Sequence, residues 1–172
     1  MAVSVEWYRD TGAKTGTPAK GAKREKIESI SWSAVDNATA ASTGAPVLAG
    51  GNSCSCYICA KFGGTFTRVS SVKISHEDGA LPANTKLVGK VTSSYETPVT
   101  TALPGAEDMS QLKSVANGTS MKLGADPSTA NADVITSPGY TQWLATQIQT
   151  TSDAASGVSP ALKLVLSWIE VA

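Results

Sequence analysis

The chain has 172 residues, 14 Lys and Arg against 14 Asp and Glu, one His, and a formal net charge of +0. That balance gives no long-range attraction for a polyanion, so nucleic acid is not expected as a partner. No apolar run approaches the ~18 residues of a spanning helix, so a membrane is not expected either. Charged residues make up only 16%, below the roughly one quarter usual in globular domains, while Ser and Thr together number about 40. Small hydroxyl side chains at a surface lose little rotamer freedom when another surface packs on them.

The length fits one domain with a sizeable core. Met1 to Trp7 lacks a basic segment followed by an apolar one, so no secretory signal is expected. In chain order, Val3, Val5 and Trp7 alternate with Ser4, Glu6 and Tyr8, a period of two that predicts a strand. Thr11 to Lys26 carries Lys14, Lys20, Lys23, Arg24 and Lys26 among Gly, Thr and Pro, with no apolar period. It is expected to be a basic extended arm or loop over 11–26, a candidate contact for a neighbouring subunit or an acidic partner. A merely solvated arm is the plain alternative. Ile30 and Trp32 predict a short strand over Ile27 to Ser33, and Ala34 to Asn52 reads as loop, a second candidate to reach a neighbour.

Ser53 to Phe62 predicts a strand, and Gly63-Gly64 a hairpin turn into Thr65 to Ser75. In the latter, Phe66 shares a parity with Val72 and Ile74, whereas Thr67 and Val69 take the other, which predicts a bulge near Ser70-Ser71. Glu77-Asp78-Gly79 is a turn, Lys86 to Ser94 a strand, and Pro98 keeps Tyr95 to Val99 extended. Ala106 to Ala116 is the one helix candidate, with Met109, Leu112 and Val115 spaced by three and Glu107 and Asp108 in the first turn. Met121 to Leu123 and Trp143 to Thr150 predict further strands.

The last strand, Ala161 to Val171, sets Leu162, Leu164, Leu166 and Trp168 on one face and Val165, Ile169 and Val171 on the other. Two apolar faces predict a central or doubly covered strand. The whole predicts a mainly β fold, an antiparallel β-sandwich or jelly roll in a single domain over 1–172, with at most one short helix.

Chemistry is sparse. His76 is the only imidazole and sits in a segment of turn composition, so a serine or cysteine triad is not expected. Cys54, Cys56 and Cys59 form C-x-C-x-x-C. A zinc site wants four ligands in separated pairs, so no metal and no cofactor are expected. The leading reading is small buried apolar residues. An interchain disulfide through Cys54, Cys56 or Cys59 is the alternative, because an odd count cannot pair fully within one chain. Glu77/Asp78 and Glu107/Asp108 look like turn and helix-start residues rather than a glycosidase pair. No phosphate-binding glycine loop occurs. Trp7, Trp32, Trp143 and Trp168 fall in strand-like segments and are expected in the core. The sequons at Asn37 and Asn117 are discounted for want of a secretion signal.

Two regions resemble a known family. Asn52-Ser53 through Cys59-Ala60-Lys61-Phe62, then Gly64 to Ile74, and later Tyr95-Glu96-Thr97-Pro98, are similar to a hairpin segment of virion structural proteins of tailed bacteriophages. Trp143 to Thr150 and Leu164 to Val171 resemble the close of such chains. The likeness covers about residues 50–100 and 140–172, and the three-cysteine strand departs from it. It implies a β-sandwich that decorates or joins head, neck or tail, located in the virion. The expected function is therefore a non-enzymatic structural subunit in many copies, in a head, neck/collar or decoration role ahead of a tail one. Its partners would be copies of itself and other virion proteins. The alternative is a glycan- or receptor-binding attachment module, and the third class is a hydrolase.

Overall fold

The computed structural model describes residues 3–17, 19–36, 45–77, 81–109, 121–122, 134–155 and 163–171, leaving aside the side chains of 75–77 and 121–122. The regular elements among these residues are strands, with no α-helix, and every pairing is antiparallel. The larger sheet contains β1 (Ser4–Thr15), β2 (Lys20–Ile27), β3 (Cys56–Gly63), β5 (Thr85–Thr92), β6 (Glu107–Asp108), β9 (Gly139–Tyr140) and β10 (Trp143–Thr150). Its order is β2-β1-β3-β10-β5-β6, with β9 also on β3. The smaller sheet holds β4 (Arg68–Glu77), β7 (Met121–Lys122), β8 (Val134–Ile135) and β11 (Lys163–Val171), with β4 between β11 and the two short strands.

The two sheets face each other across one apolar layer. From β3 come Cys56, Ile58, Ala60 and Phe62, and from β4 come Val69, Val72 and Ile74. Leu164, Leu166 and Trp168 of β11 pack against the same layer, Trp168 meeting Phe62 edge-on at 5.5 Å. This is the mainly-β sandwich expected. Burying each large side chain here contributes about 2 kcal/mol, which is what holds two otherwise marginal sheets together.

The bulge near Ser70-Ser71 is present. Ser70 pairs Ile169 and Lys73 pairs Ser167, so two residues of β4 oppose Trp168 alone. Ser71 takes a φ of 53° there, and the shift lets both Val69 and Val72 point inward, each buried.

Several expectations are corrected. The 11–26 stretch is not an arm or loop: it is the second half of β1, a turn, and β2, a hairpin on the edge of the larger sheet with Trp7 opposite Ile27 and Thr15 opposite Lys20. An edge strand needs no apolar period, because the ladder supplies its bonds and water its charges. Glycine is required at position 21, where a Cβ would lie 2.7 Å from the Thr11 carbonyl oxygen. Residues 28–33 form no strand, although Ile30 and Trp32 do pack on the core.

Gly63-Gly64 makes no hairpin. With Gly64 at a φ of 90°, the chain leaves the larger sheet and β4 begins in the smaller one, so that Phe62 and Val69 meet across the core. No helix starts at Ala106: Glu107 and Asp108 pair with Gly89 and Val88 as β6. Met109 then drops onto Gly89, where a Cβ would collide with its sulfur. Residues 110–116 of that expected helix lie outside the described residues. Finally, among the described residues β11 pairs on one side only, with β4, where a central or doubly covered strand was expected.

Candidate functional site

The outer face of the larger sheet, the one turned away from β4 and β11, carries a second cluster of different character. Antiparallel partners project to the same side. The register therefore sets Tyr8 and Asp10 of β1 beside Lys26 and Arg24 of β2, and beside Cys59 and Tyr57 of β3. Tyr140 of β9 stands opposite Lys61, and Ala145 of β10, two residues on from Trp143, opposite Tyr57. With Tyr95 from the following segment, all four tyrosines of the chain gather on this face. Both phenylalanines and the other three tryptophans pack on the inner layer.

Asp10 is the centre of the cluster and is fully buried. It accepts from Arg24 Nε at 2.6 Å and Nη2 at 2.8 Å, from Trp143 Nε1 at 2.9 Å and from the Gly21 amide at 3.4 Å. The paired, two-point contact of a guanidinium with a carboxylate is the strong form of the ion pair. The guanidinium of Arg24 lies 4.4 Å from the centre of the Tyr140 ring and 5.6 Å from that of Trp143. Burial is the largest influence and lowers its pKa, but the hydrogen bonds to Asp10, together with the coulombic attraction of Cys59, Asp10 and Tyr140, raise it overall. Tyr8 meets Tyr140 edge-on at 5.4 Å, with Lys61 Nζ near both rings at 6.0 and 5.8 Å.

A covering segment seals the other half of this face. Residues 95–106 lie over β10 and β5, held by the buried amide of Gln147. Its Nε2 donates to Ser53 O at 3.0 Å and Thr101 O at 2.9 Å, and its Oε1 accepts from Leu103 N at 2.9 Å. Tyr95 packs on Tyr57 at 4.9 Å and donates its hydroxyl to Gly12 O at 2.6 Å. Lys14 reaches the same segment, its amide donating to Thr97 and its Nζ to Glu96 at 2.8 Å.

The basic residues singled out from the sequence are therefore engaged within the chain. Lys14 pairs with Glu96, Lys23 with Glu25, Arg24 with Asp10 and Lys26 with Glu6, while Lys20 is exposed at the start of β2. Hydrogen bonds from Lys26 and Tyr8 hold the Glu6 carboxyl below the usual range, and the same bond raises Lys26. Lys14 does likewise for Glu96.

Cys54, Cys56 and Cys59 are all buried. Cys56 faces the inner layer and Cys59 the outer cluster, as alternation on a strand requires. Burial raises the Cys54 thiol and pushes Cys56 up to about 11, against the opposing charge of Arg9. Such thiols are neither activated nucleophiles nor accessible ones, and a bridge to another chain from any of the three would first require the sheet to be uncovered. Among the described residues no group of three or more His, Cys, Asp or Glu is placed to hold a metal.

His76 is in strand β4, opposite Leu164, rather than in a turn, and its side chain lies outside the described residues. Glu77 ends the same strand, Asp78 is outside the described residues, and Glu107 and Asp108 are strand rather than helix-start residues. The sequence reading missed Asp10, Tyr8, Tyr140 and Gln147. The signal was there in part: Glu6, Tyr8 and Asp10 share a parity opposite to Val5 and Trp7.

A scan against protein-family models finds no match, and comparisons with curated proteins and with solved structures find none. No helix among the described residues is long and apolar enough to cross a membrane.

Proposed function

We propose that the chain is a non-enzymatic structural subunit that acts by packing against copies of itself and against other proteins. The setting we propose is the virion of a tailed bacteriophage, in a head, neck or decoration role ahead of a tail one. One observation carries the reading. The polar groups most suited to chemistry satisfy one another inside the fold: Asp10 receives four donors, and two of the thiols are kept protonated by burial. Catalytic groups are instead held accessible, with a nucleophile or base aimed at open space. The resemblance of residues 50–100 and 140–172 to virion proteins supports the particular setting.

The test is the mass of the purified chain by light scattering, alone and mixed with the products of its neighbouring genes. A stoichiometric complex with one of them supports the reading. A chain that binds none and stays monomeric overturns it.

A glycan- or receptor-binding module is the second reading. What favours it is the half-buried Tyr8–Tyr140 pair beside Lys61 and Arg24, a polar aromatic surface of the kind that stacks on sugar rings. Trp143 lies under Arg24, so sugar bound there should alter tryptophan fluorescence. A panel of acidic and neutral oligosaccharides without effect removes this reading.

A further inference from the structure

Two rows of side chains cross the outer face of the larger sheet. Antiparallel register sets Lys26, Tyr8 and Cys59 in one row, and Glu6, Lys61 and Tyr140 in the next. A carboxylate and an ammonium directly opposite each other are natural partners. Glu6 and Lys61 nevertheless do not pair. Glu6 turns to Lys26 at 2.7 Å and accepts from the Tyr8 hydroxyl at 3.0 Å, while Arg24 is committed to Asp10. Each other cation of this surface thus has a carboxylate of its own. Lys61 has none, and among the described residues it makes neither an ion pair nor a hydrogen bond. Its influence on the Glu6 carboxyl is the smallest of those acting there.

Lys61 is nonetheless held in place. It is half-buried, its Nζ lying 6.0 Å from the centre of the Tyr8 ring and 5.8 Å from that of Tyr140, at the outer reach of a cation–π contact. The two rings are half-buried as well and stand at 81° to each other. The Tyr140 hydroxyl has no hydrogen bond among the described residues. One uncompensated ammonium and one open hydroxyl therefore flank two aromatic rings.

We infer that this Tyr8–Tyr140–Lys61 surface binds a carboxylated sugar, a uronic or sialic acid unit. The inference rests on the second reading above, a glycan-binding module, and narrows it to one chemical class. The carboxylate of the sugar accepts from Lys61 Nζ and supplies the partner that Glu6 does not. A sugar hydroxyl meets the Tyr140 hydroxyl, and the C–H face of the sugar ring lies against the aromatic side chains. A phosphate, with up to two charges, asks for more positive field than one spare cation beside Glu6 provides.

The test is titration of the full chain with glucuronic acid and with N-acetylneuraminic acid, across roughly 0.1–50 mM, the range of weak single-sugar contacts. The readout is the two-dimensional NMR spectrum of the backbone amides. The methyl ester of each acid, glucose and sodium acetate are titrated in parallel. The acids are expected to shift the Lys61 and Tyr140 amides and to bind about tenfold more tightly than their esters, because only they offer Lys61 a charged acceptor. Lys61→Gln should abolish that preference while leaving ester binding unchanged. Tyr140→Leu should weaken acid and ester alike, by about threefold or more. Circular dichroism of each variant reports folding, and the comparison of acid with ester on the unaltered chain stays decisive if a variant fails to fold.

Esters and glucose that bind as tightly as the acids overturn the inference and leave the glycan-binding reading standing. Acetate that binds as tightly as the sugar acids overturns it too, because the surface is then a contact for any small anion. Shifts confined to another face also overturn it. No response to any sugar removes the inference and the glycan-binding reading together.

Discussion

Asp10 and Arg9 are adjacent, oppositely charged and both buried, yet their surroundings differ in kind. Asp10 has short bonds from charged and neutral donors. Arg9 points to the other face, and its contacts to Ser31 O and Asp36 Oδ1 are 3.4 and 3.5 Å long. Its Nε has no partner among the described residues. Removing one member of a well-made buried pair leaves an uncompensated charge, whereas a poorly satisfied one can be replaced by an apolar side chain at little cost. Asp10→Asn should therefore cost about 3 kcal/mol in urea unfolding, and Arg9→Met no more than about 1 kcal/mol. Equal losses would contradict this account.

Cys56 gives a pH signature. Its thiol pKa is raised by burial from 9.0 to about 11, so between those values the unfolded chain loses a proton that the folded chain keeps. The stabilisation is complete below the unfolded pKa and is lost as pH rises through the folded one. Unfolding free energy should fall by about 2 kcal/mol across that window on account of this group, and Cys56→Ala should remove that part of the slope. None of the Asp10 network was evident from composition, because a carboxylate beside a lysine-rich stretch reads equally well as a solvated charge.

At the level of strands, the legible ones were those with one apolar face. Trp143–Thr150 has the bounds expected, and the parity change between Val69 and Val72 located the bulge. β2 was hidden because an edge strand with polar residues on both faces has no hydrophobic period to read. The helix expected from Ala106 failed for another reason: spacing by three in Met109, Leu112 and Val115 does not reveal that Val88 and Gly89 offer an open ladder to Glu107 and Asp108. β11 had the composition of a covered strand, and no rule of sequence tells whether the cover comes from the same chain. The covering segment, by contrast, depends on a single amide. Gln147→Ala would strip partners from buried Ser53 O and Leu103 N, at about 2–4 kcal/mol for the several unmet bonds. Hydrogen exchange should show residues 95–106 opening well before the rest of the larger sheet. Uniform loss of protection across the sheet would refute the role given to Gln147.

For the molecule as a whole, one apolar layer draws on both sheets, so neither is stable alone. Tryptophan fluorescence and far-ultraviolet circular dichroism should then trace one coincident unfolding transition. Two separated transitions would mean that the sheets hold themselves independently. The fold class was legible in the sequence because short two-faced segments with Gly, Pro, Ser and Thr between them admit few other architectures. The position of the polar aromatic cluster was not, since Tyr8, Tyr57, Tyr95 and Tyr140 come from separate stretches that only the register brings together.

That register also sets the order of events during synthesis. β3 lies between β1 and β10, and the bond from Tyr95 to Gly12 spans 83 positions. When β3 leaves the ribosome, one of its flanks has nothing to pair with until residues 143–150 are made. Closure across such distances is slow, on the order of milliseconds to seconds after release, and for that time the strand bearing Cys56, Tyr57, Cys59 and Phe62, all buried in the finished fold, stands open. Nascent chains should need protection in that interval, and crowding at a site of rapid synthesis would turn an unfinished sheet into an aggregate more readily than a finished one.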